Sequence, residues 1–254
     1  MGIRAGEFLS EAFIKRGMKL QKGRKPYIRI IRRISSITVW LIDGEYVRKN
    51  ICEDFVNYAH HYNLTFIPKD EFWIAAGTSE EETGFYIDRL LTEYRLMKAG
   101  VNYFEAMKKA KLAEKRERSK SEMIKRLKEG RQGSKELVRK VHRKLLKKYS
   151  CRVRVWLVNG ELVRDLFFID FGGGGHDRVY HFIPDNEVWI DDDIRPKERQ
   201  FIILHELHER NLMANGMDYP HGHRKATGIE DFYRHHPKKI MRAIRNELEK
   251  QKIF

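Results

Sequence analysis

Short apolar runs ending in turn-forming dipeptides predict strands in two regions of the chain. The runs Val39–Ile42 and Val155–Val158 are followed by Asp43-Gly44 and Asn159-Gly160. Both dipeptides tolerate the positive φ angles of a type I′ turn, so the pattern predicts β-hairpins. A second pair of short strands is predicted around a proline in each region: Pro68 and Pro184.

The apolar spacing then changes to that of amphipathic helices. Residues 196–215 have a helical pattern, with Pro196 suited to the first turn and Gly216 suited to the C-terminal stop. A second helix is predicted from Tyr219 to about His235. The expected fold class is therefore α+β, in which a small antiparallel sheet packs on two helices.

The same pattern occurs twice, at a constant offset of 116 residues. Three segment pairs carry the match: VWLIDGEYVR with VWLVNGELVR, FIPKDEFWI with FIPDNEVWI, and LMKAGVNY with LMANGMDY. More than a third of the residues are identical when 39–114 is paired with 155–230 without a gap. The sequence therefore predicts two copies of one domain.

Charge divides the chain into four predicted parts: a basic N-terminal arm (1–34), a first copy (35–117), a basic helical linker (118–149) and a second copy (150–254). The chain has 51 Lys and Arg against 36 Asp and Glu, a formal charge of +15, and the excess lies in the arm and linker. Nucleic acid is thus a candidate partner of these basic connectors. The alternative is a solvated charged helix, broken near Gly130–Gly133.

Cysteine content and the chain's start bear on location. Two cysteines without metal-ligand spacing, Cys52 and Cys151, indicate a reducing compartment. The N-terminal residues lack a signal-peptide pattern, and no uncharged apolar stretch reaches the roughly 20 residues that span a bilayer. We therefore expect a protein that is not secreted and has no membrane partner.

The second copy contains a cluster of residues suited to metal chemistry. His205 and Glu209 are four residues apart, so they share one helical face, and Glu206 follows His205. His223 and Glu230 are seven apart on the next predicted helix. A helical hairpin would bring the two faces together around one metal ion. Glu206 could then take a proton from water that the metal activates.

The first copy differs at three of these five positions, where it has Arg89, Leu90 and Met107. It keeps the two outer carboxylates as Glu93 and Glu114. Because buried carboxylates require a partner, Arg89 is expected to supply them with the positive charge that a metal ion would otherwise provide. The first copy would then be a metal-free pseudo-enzyme.

Two more features occur only in the second copy. Gly172–Gly175 replaces Val56–Ala59, which either lets backbone approach a ligand closely or provides a flexible connection. Asp191–Asp193 replaces Ala75–Gly77 and could serve as a charge device at a helix N-terminus, a cation site or a substrate-binding rim.

The motif HELHE, followed by LMANGMDY and HGHRKATGIE, resembles zincin-type metallopeptidases. It is more similar to small zincin-like domains that phages and other mobile elements often encode. The resemblance covers about 160–235, and more weakly 44–117. It implies His205, Glu209 and His223 as metal ligands, Glu230 as a fourth ligand or as support behind a ligand, and Glu206 as the general base. Two departures are Glu209, where zincins have histidine, and Gly222 in place of alanine.

Together these features predict a zinc-dependent hydrolase-like protein, a metallopeptidase by resemblance, with one zinc ion per chain in the second copy. Its substrate would be a protein or peptide. The alternative is a non-catalytic protein, structural or nucleic-acid-binding, in which the metal only joins two helices. A metal-dependent nuclease fed by the basic segments is a third hypothesis. The expected location is cytoplasmic or virion-associated.

Overall fold

The computed structural model describes residues 25–129 and 134–252, which divide into two compact units. The first unit ends at Arg126. Most of the predicted N-terminal arm and the predicted break at Gly130–Gly133 lie outside the described residues. The protein is mixed α/β, with two four-stranded mixed sheets.

In the first unit, the four strands come before the two longest helices along the chain. In chain order its elements are β1 (Tyr27–Ile34), β2 (Ile37–Ile42), α1 (Gly44–Asn50), β3 (Tyr58–His60), β4 (Glu71–Ala75), α2 (Glu80–Lys98) and α3 (Tyr103–Arg118). A further helix, α4 (Glu122–Glu129), begins in this unit and continues past its last residue, Arg126.

The second unit has the same succession of elements, preceded by one helix and followed by another. In chain order they are α5 (Ser134–Val141), β5 (His142–Leu145), β6 (Arg154–Val158), α6 (Gly160–Leu166), β7 (Gly174–His176), β8 (Glu187–Asp191), α7 (Arg199–Ala214), α8 (Tyr219–His235) and α9 (Ile240–Lys250). A short 3-10 turn, Lys147–Tyr149, separates β5 from β6.

The two sheets have the same strand order and the same register. The orders are β1-β2-β4-β3 and β5-β6-β8-β7, and in each the central pair is parallel while both outer pairs are antiparallel. Thr38 pairs with Glu71, and Arg154 pairs with Glu187. Each residue of the second pair lies 116 positions after its counterpart in the first.

The prediction of antiparallel sheets built from hairpins is wrong, because the turn dipeptides begin helices instead. Asp43 is the N-cap of α1 and accepts a hydrogen bond from the Tyr46 amide at 3.2 Å. Asn159 caps α6 in the same way, accepting from the Leu162 amide at 3.0 Å. Asp and Asn satisfy exposed helix amides well, and each helix leads first to the outer strand, β3 or β7, and then to β4 or β8, which pairs in parallel with β2 or β6.

The predicted arm and linker each contribute a strand. β1 lies within residues 1–34 and pairs with β2, while β5 lies within 118–149 and pairs with β6. These strands contain many arginines and lysines because they form sheet edges, where charged side chains reach water and discourage pairing with other chains.

The two long helices of the second unit lie close to their predicted positions. α7 starts three residues after Pro196 and ends before Gly216, which has a φ of +89°. α8 spans Tyr219–His235, as predicted, and Asp218 caps its first turn. Among the described residues, no helix combines the length and apolar character that crossing a membrane requires.

The core of the second unit lies on both faces of its sheet. Alternate residues of β8 point to opposite faces, so Ile190 and Trp189 belong to separate apolar clusters. Helices α7 and α9 cover the face of Ile190, chiefly through these buried side chains: Phe201, Leu204, Leu207, Ile240 and Ile244. This packing fixes α7 next to the edge strand β7, where the predicted site residues lie.

Candidate metal centre

The hairpin of α7 and α8 brings three potential metal ligands to one point. The facing atoms are His205 Nε2, Glu209 Oε2 and His223 Nδ1. His205 Nε2 lies 3.1 Å from His223 Nδ1 and 3.4 Å from Glu209 Oε2, and the last two atoms are 2.7 Å apart. Four ligands placed tetrahedrally about 2.0–2.1 Å from zinc lie about 3.4 Å apart. The triangle is therefore near the size that a zinc ion requires, after a small expansion of its shortest edge.

Glycine at the start of α8 is compatible with this close approach. A Cβ on Gly222 would lie 3.5 Å from Met213 Cγ and 3.7 Å from Glu209 Cγ, which are ordinary contact distances. Alanine, which zincin-like domains have at this point of the motif, would fit there too, so glycine does not alter the helix pair.

The fourth predicted ligand, Glu230, lies on the other side of His205. Its Oε2 is 2.9 Å from His205 Nδ1, whereas the triangle involves Nε2 of the same ring. The carboxylate therefore orients the imidazole rather than joining the three facing atoms, an arrangement common behind metal-binding histidines. Its other oxygen accepts from Arg234, and Arg234 also pairs with Glu198.

Charge in this cluster favours a cation at its centre. Burial alone would raise the pKa of Glu209 and Glu230, but hydrogen bonds from the neighbouring histidines lower both, that of Glu230 to about 2. Burial would lower the pKa of His205, yet its bonds to the two carboxylates raise it well above its usual value. This raised pKa favours the protonated ring, so a metal ion binding at His205 would have to displace a proton.

His176, on β7, supports Glu209 from the sheet. Its Nε2 lies 3.1 Å from Glu209 Oε1, and its Nδ1 accepts the Arg178 amide hydrogen at 3.2 Å. Since Nδ1 is an acceptor, the neutral ring donates through Nε2, and burial favours this neutral form by lowering the pKa. His176 thus holds Glu209 with Oε2 directed at the triangle. The first unit has His60 at the matching position, and from the sequence alone this agreement favours a structural role for His176.

Glu206 is nine-tenths buried beside the triangle. One of its oxygens lies within 4.8 Å of ligand atoms of both Glu209 and His176, and it accepts no hydrogen bond from a described residue. Burial raises its pKa to about 8; nearby His205 opposes this rise, and the charges of Glu209 and Glu230 add to it. A carboxyl group with a pKa near neutrality is suited to accept and return protons.

The glycine run makes room for side chains of the same unit. A Cβ on Gly174 would lie 3.0 Å from Glu206 Oε1, and one on Gly175 would lie 2.6 Å from the Tyr180 ring. Gly173 has a φ of +75°, which disfavours residues with side chains. The run thereby lets the Glu206 side chain lie against the backbone of β7.

Gly175 and Tyr180 form a matched pair that can be tested. The first unit has Ala59 and Leu64 at these positions. We expect Gly175→Ala to lower the free energy of unfolding of the second unit by about 1–3 kcal/mol, since the methyl group overlaps the ring. Adding Tyr180→Leu should recover part of this loss. Urea denaturation of both single variants and the double variant measures the coupling, and simple addition of the two losses would contradict the pairing.

The other polar residues of interest have partners away from the triangle. His208 contacts Glu247 at 3.3 Å, and the exposed His221 contacts Asp218 at 2.6 Å. In the aspartate run, Asp191 and Asp193 pair with Arg164, and Asp192 accepts the first amide of α6. The run thus binds α6 at its first amide and at the Arg164 side chain.

In the first unit the predicted ion pairs of Arg89 with Glu93 and Glu114 are present. Arg89 donates to Glu93 through Nε and to Glu114 through a terminal nitrogen, each at 3.1 Å, and all three are buried. Arg118 joins Glu114 to Glu82, as Arg234 joins Glu230 to Glu198. The Arg89 guanidinium therefore balances the carboxylates that correspond to Glu209 and Glu230.

Comparisons with family models, with curated proteins and with solved structures gave no significant match for this chain.

Proposed function

We propose that the second unit is a zincin-like, zinc-dependent hydrolase of the metallopeptidase type, and that the two units descend from one duplicated domain. The common strand order, the common register and the 116-residue offset support the duplication. In this proposal the first unit is a pseudo-enzyme copy, since Leu90 replaces the general base and Arg89 replaces the metal-binding histidine.

The convergence of His205, Glu209 and His223 is the observation that carries this proposal. These three residues would hold the zinc ion, which would lower the pKa of water to about 7 and polarise a carbonyl group. Glu206 accepts the proton of the attacking water and returns it to the leaving amine. Gly174 lets Glu206 lie close to Glu209, and His176 and Glu230 hold two of the metal-binding groups in orientation.

A non-catalytic metal site is the second candidate. The burial of Glu206 favours it, because a carboxyl group that substrate cannot reach has no part in hydrolysis. The metal would then only join α7 to α8. The location of Glu230 behind His205 favours the catalytic alternative, since it leaves the site with three rather than four protein ligands.

Metal content tests the proposal directly. We expect about one zinc ion per purified chain by elemental mass spectrometry, and loss of that zinc in His205→Ala. His208→Ala is the matched control, because His208 lies on the same helix but contacts Glu247 instead of the triangle. Absence of zinc from the wild type after reconstitution, or equal loss in both variants, would refute the site.

A further inference from the structure

The second unit also has a basic surface, formed by residues 135–154. This basic strip comprises α5 from Lys135 onward, β5, the 3-10 turn and the start of β6. It has a single acidic residue, Glu136, and nine basic ones: Lys135, Arg139, Lys140, Arg143, Lys144, Lys147, Lys148, Arg152 and Arg154. All nine basic side chains are exposed. By contrast, residues 155–254 carry 15 basic and 17 acidic side chains.

Folded structure holds these cations in place. Val138 and Val141 on α5 are buried in the core of the second unit, and β5 is hydrogen-bonded to β6. Two of the nine cations have acidic partners, Arg143 with Asp192 and Arg154 with Glu187. The other seven make no ion pair with a described residue, so their charge is available to a ligand.

The strip lies at the opposite sheet edge from the metal centre. β5 and β7 are the two outer strands, separated by β6 and β8. Neighbouring strands are about 4.8 Å apart, so the two edges are separated by about 14 Å. A polyanion bound along the strip would therefore occupy a surface of its own rather than the metal centre.

The chemistry of the strip identifies the kind of polyanion. None of the exposed large apolar side chains in the described part of the chain belongs to it, so it has nothing to insert into a lipid surface. Its aromatic rings are not free platforms for bases: His142 stacks on Trp156 at 4.2 Å, and Tyr149 is half-buried. What remains is closely spaced positive charge, which suits regularly spaced phosphates.

We propose that the basic strip binds the sugar-phosphate backbone of duplex nucleic acid, without reading its sequence. Binding would release counterions, so affinity should fall steeply with salt. This binding is independent of the proposed zinc chemistry. It also separates nucleic-acid contact from the metal site, in contrast to a nuclease, whose substrate must lie at the metal.

Charge reversal on the full chain tests the proposal. The test variant is Lys144→Glu/Lys147→Glu/Lys148→Glu, and the control is Arg224→Glu/Lys225→Glu/Lys238→Glu, which changes net charge equally at exposed positions elsewhere in the unit. Fluorescence anisotropy with a labelled 20-base-pair DNA of mixed sequence gives the Kd across a KCl series. We expect at least tenfold weaker binding for the test variant, and a salt slope smaller by about 3 because each phosphate contact contributes about 0.9. The control should stay within about threefold of wild type.

Three outcomes would overturn the proposal. Equal weakening in both triple variants would show that only net charge matters. Binding to vesicles containing phosphatidylserine but not to the duplex would identify a lipid surface as the ligand. Loss of DNA binding in His205→Ala, or after chelation, would place the nucleic acid at the metal centre. Circular dichroism and melting curves confirm that each variant is folded.

Discussion

Glu206→Gln is expected to lower hydrolysis by about a thousandfold or more while the chain keeps its zinc. Glutamine preserves the shape of the side chain but cannot accept a proton, and general acid–base catalysis contributes roughly 10²–10⁴-fold. Because Glu206 lies outside the triangle of His205, Glu209 and His223, zinc content should not change. The measurement is cleavage of a quenched fluorescent peptide library by zinc-loaded protein, with elemental mass spectrometry of the same samples.

Glu249→Gln provides the control, since Glu249 is an exposed carboxylate on α9 that should behave like wild type. Wild-type cleavage that Glu206→Gln leaves unchanged would refute the role of Glu206 as the base. A zinc-loaded wild type without cleavage, whose melting temperature falls strongly on chelation, would instead support the metal as a helix clamp.

Arg89→Met should cost the first unit about 3–5 kcal/mol in free energy of unfolding. Removing one partner of a buried ion pair leaves charge without compensation, which is the costly case for such pairs. Glu93 would lose its arginine completely, whereas Glu114 would keep Arg118. Chemical denaturation followed by tryptophan fluorescence measures the loss, because Trp73 is fully buried in this unit.

A matched control lies on the same helix. Arg95 is exposed on α2, and Arg95→Met should change stability by no more than about 0.5 kcal/mol. Adding Glu93→Gln to Arg89→Met should recover part of the stability, since the uncompensated charge is then removed. A cost below about 1 kcal/mol for Arg89→Met would show that the arginine does not hold the carboxylates in place.

The helices of the site were predictable because their signals are local. Asp218 and Gly216 mark the start and stop of helices by chemistry that depends on neighbouring residues alone. The ion pairs of Arg89 were predictable for another reason. Aligning residues 39–114 with 155–230 identified which side chains differ together.

The hairpins were mispredicted because one dipeptide suits two local structures. Asp-Gly fits a type I′ turn. It also fits the start of a helix, where Asp is the N-cap and the next residue lies too close to a neighbouring strand to have a side chain. A Cβ on Gly44 would lie 3.0 Å from Ala75 Cβ, and one on Gly160 would collide with the Asp191 carboxylate. Neither glycine has a positive φ. Contact with β4 or β8 therefore requires these glycines, and that contact is not visible in the local sequence.

The roles of Glu230 and His176 required the tertiary structure. A spacing of seven residues places His223 and Glu230 on one helical face, but it does not reveal which nitrogen of His205 the carboxylate meets. His176 comes from a strand, and its tautomer depends on a single backbone amide. The first unit has His60 and Glu93 at the positions of His176 and Glu209, and this agreement was the available signal that the histidine and the carboxylate act together.

If the two units descend from one metal-binding domain, as proposed above, the difference between His205 and Arg89 has an evolutionary consequence. Histidine codons become arginine codons through one base change, and either side chain places a positive charge between the same two carboxylates. Under that proposal, a gene carrying this domain could lose its metal site in a single mutational step without losing the fold. Descendants of such a domain would be expected to include many with arginine at this position, folded and inert, available for recruitment to other tasks.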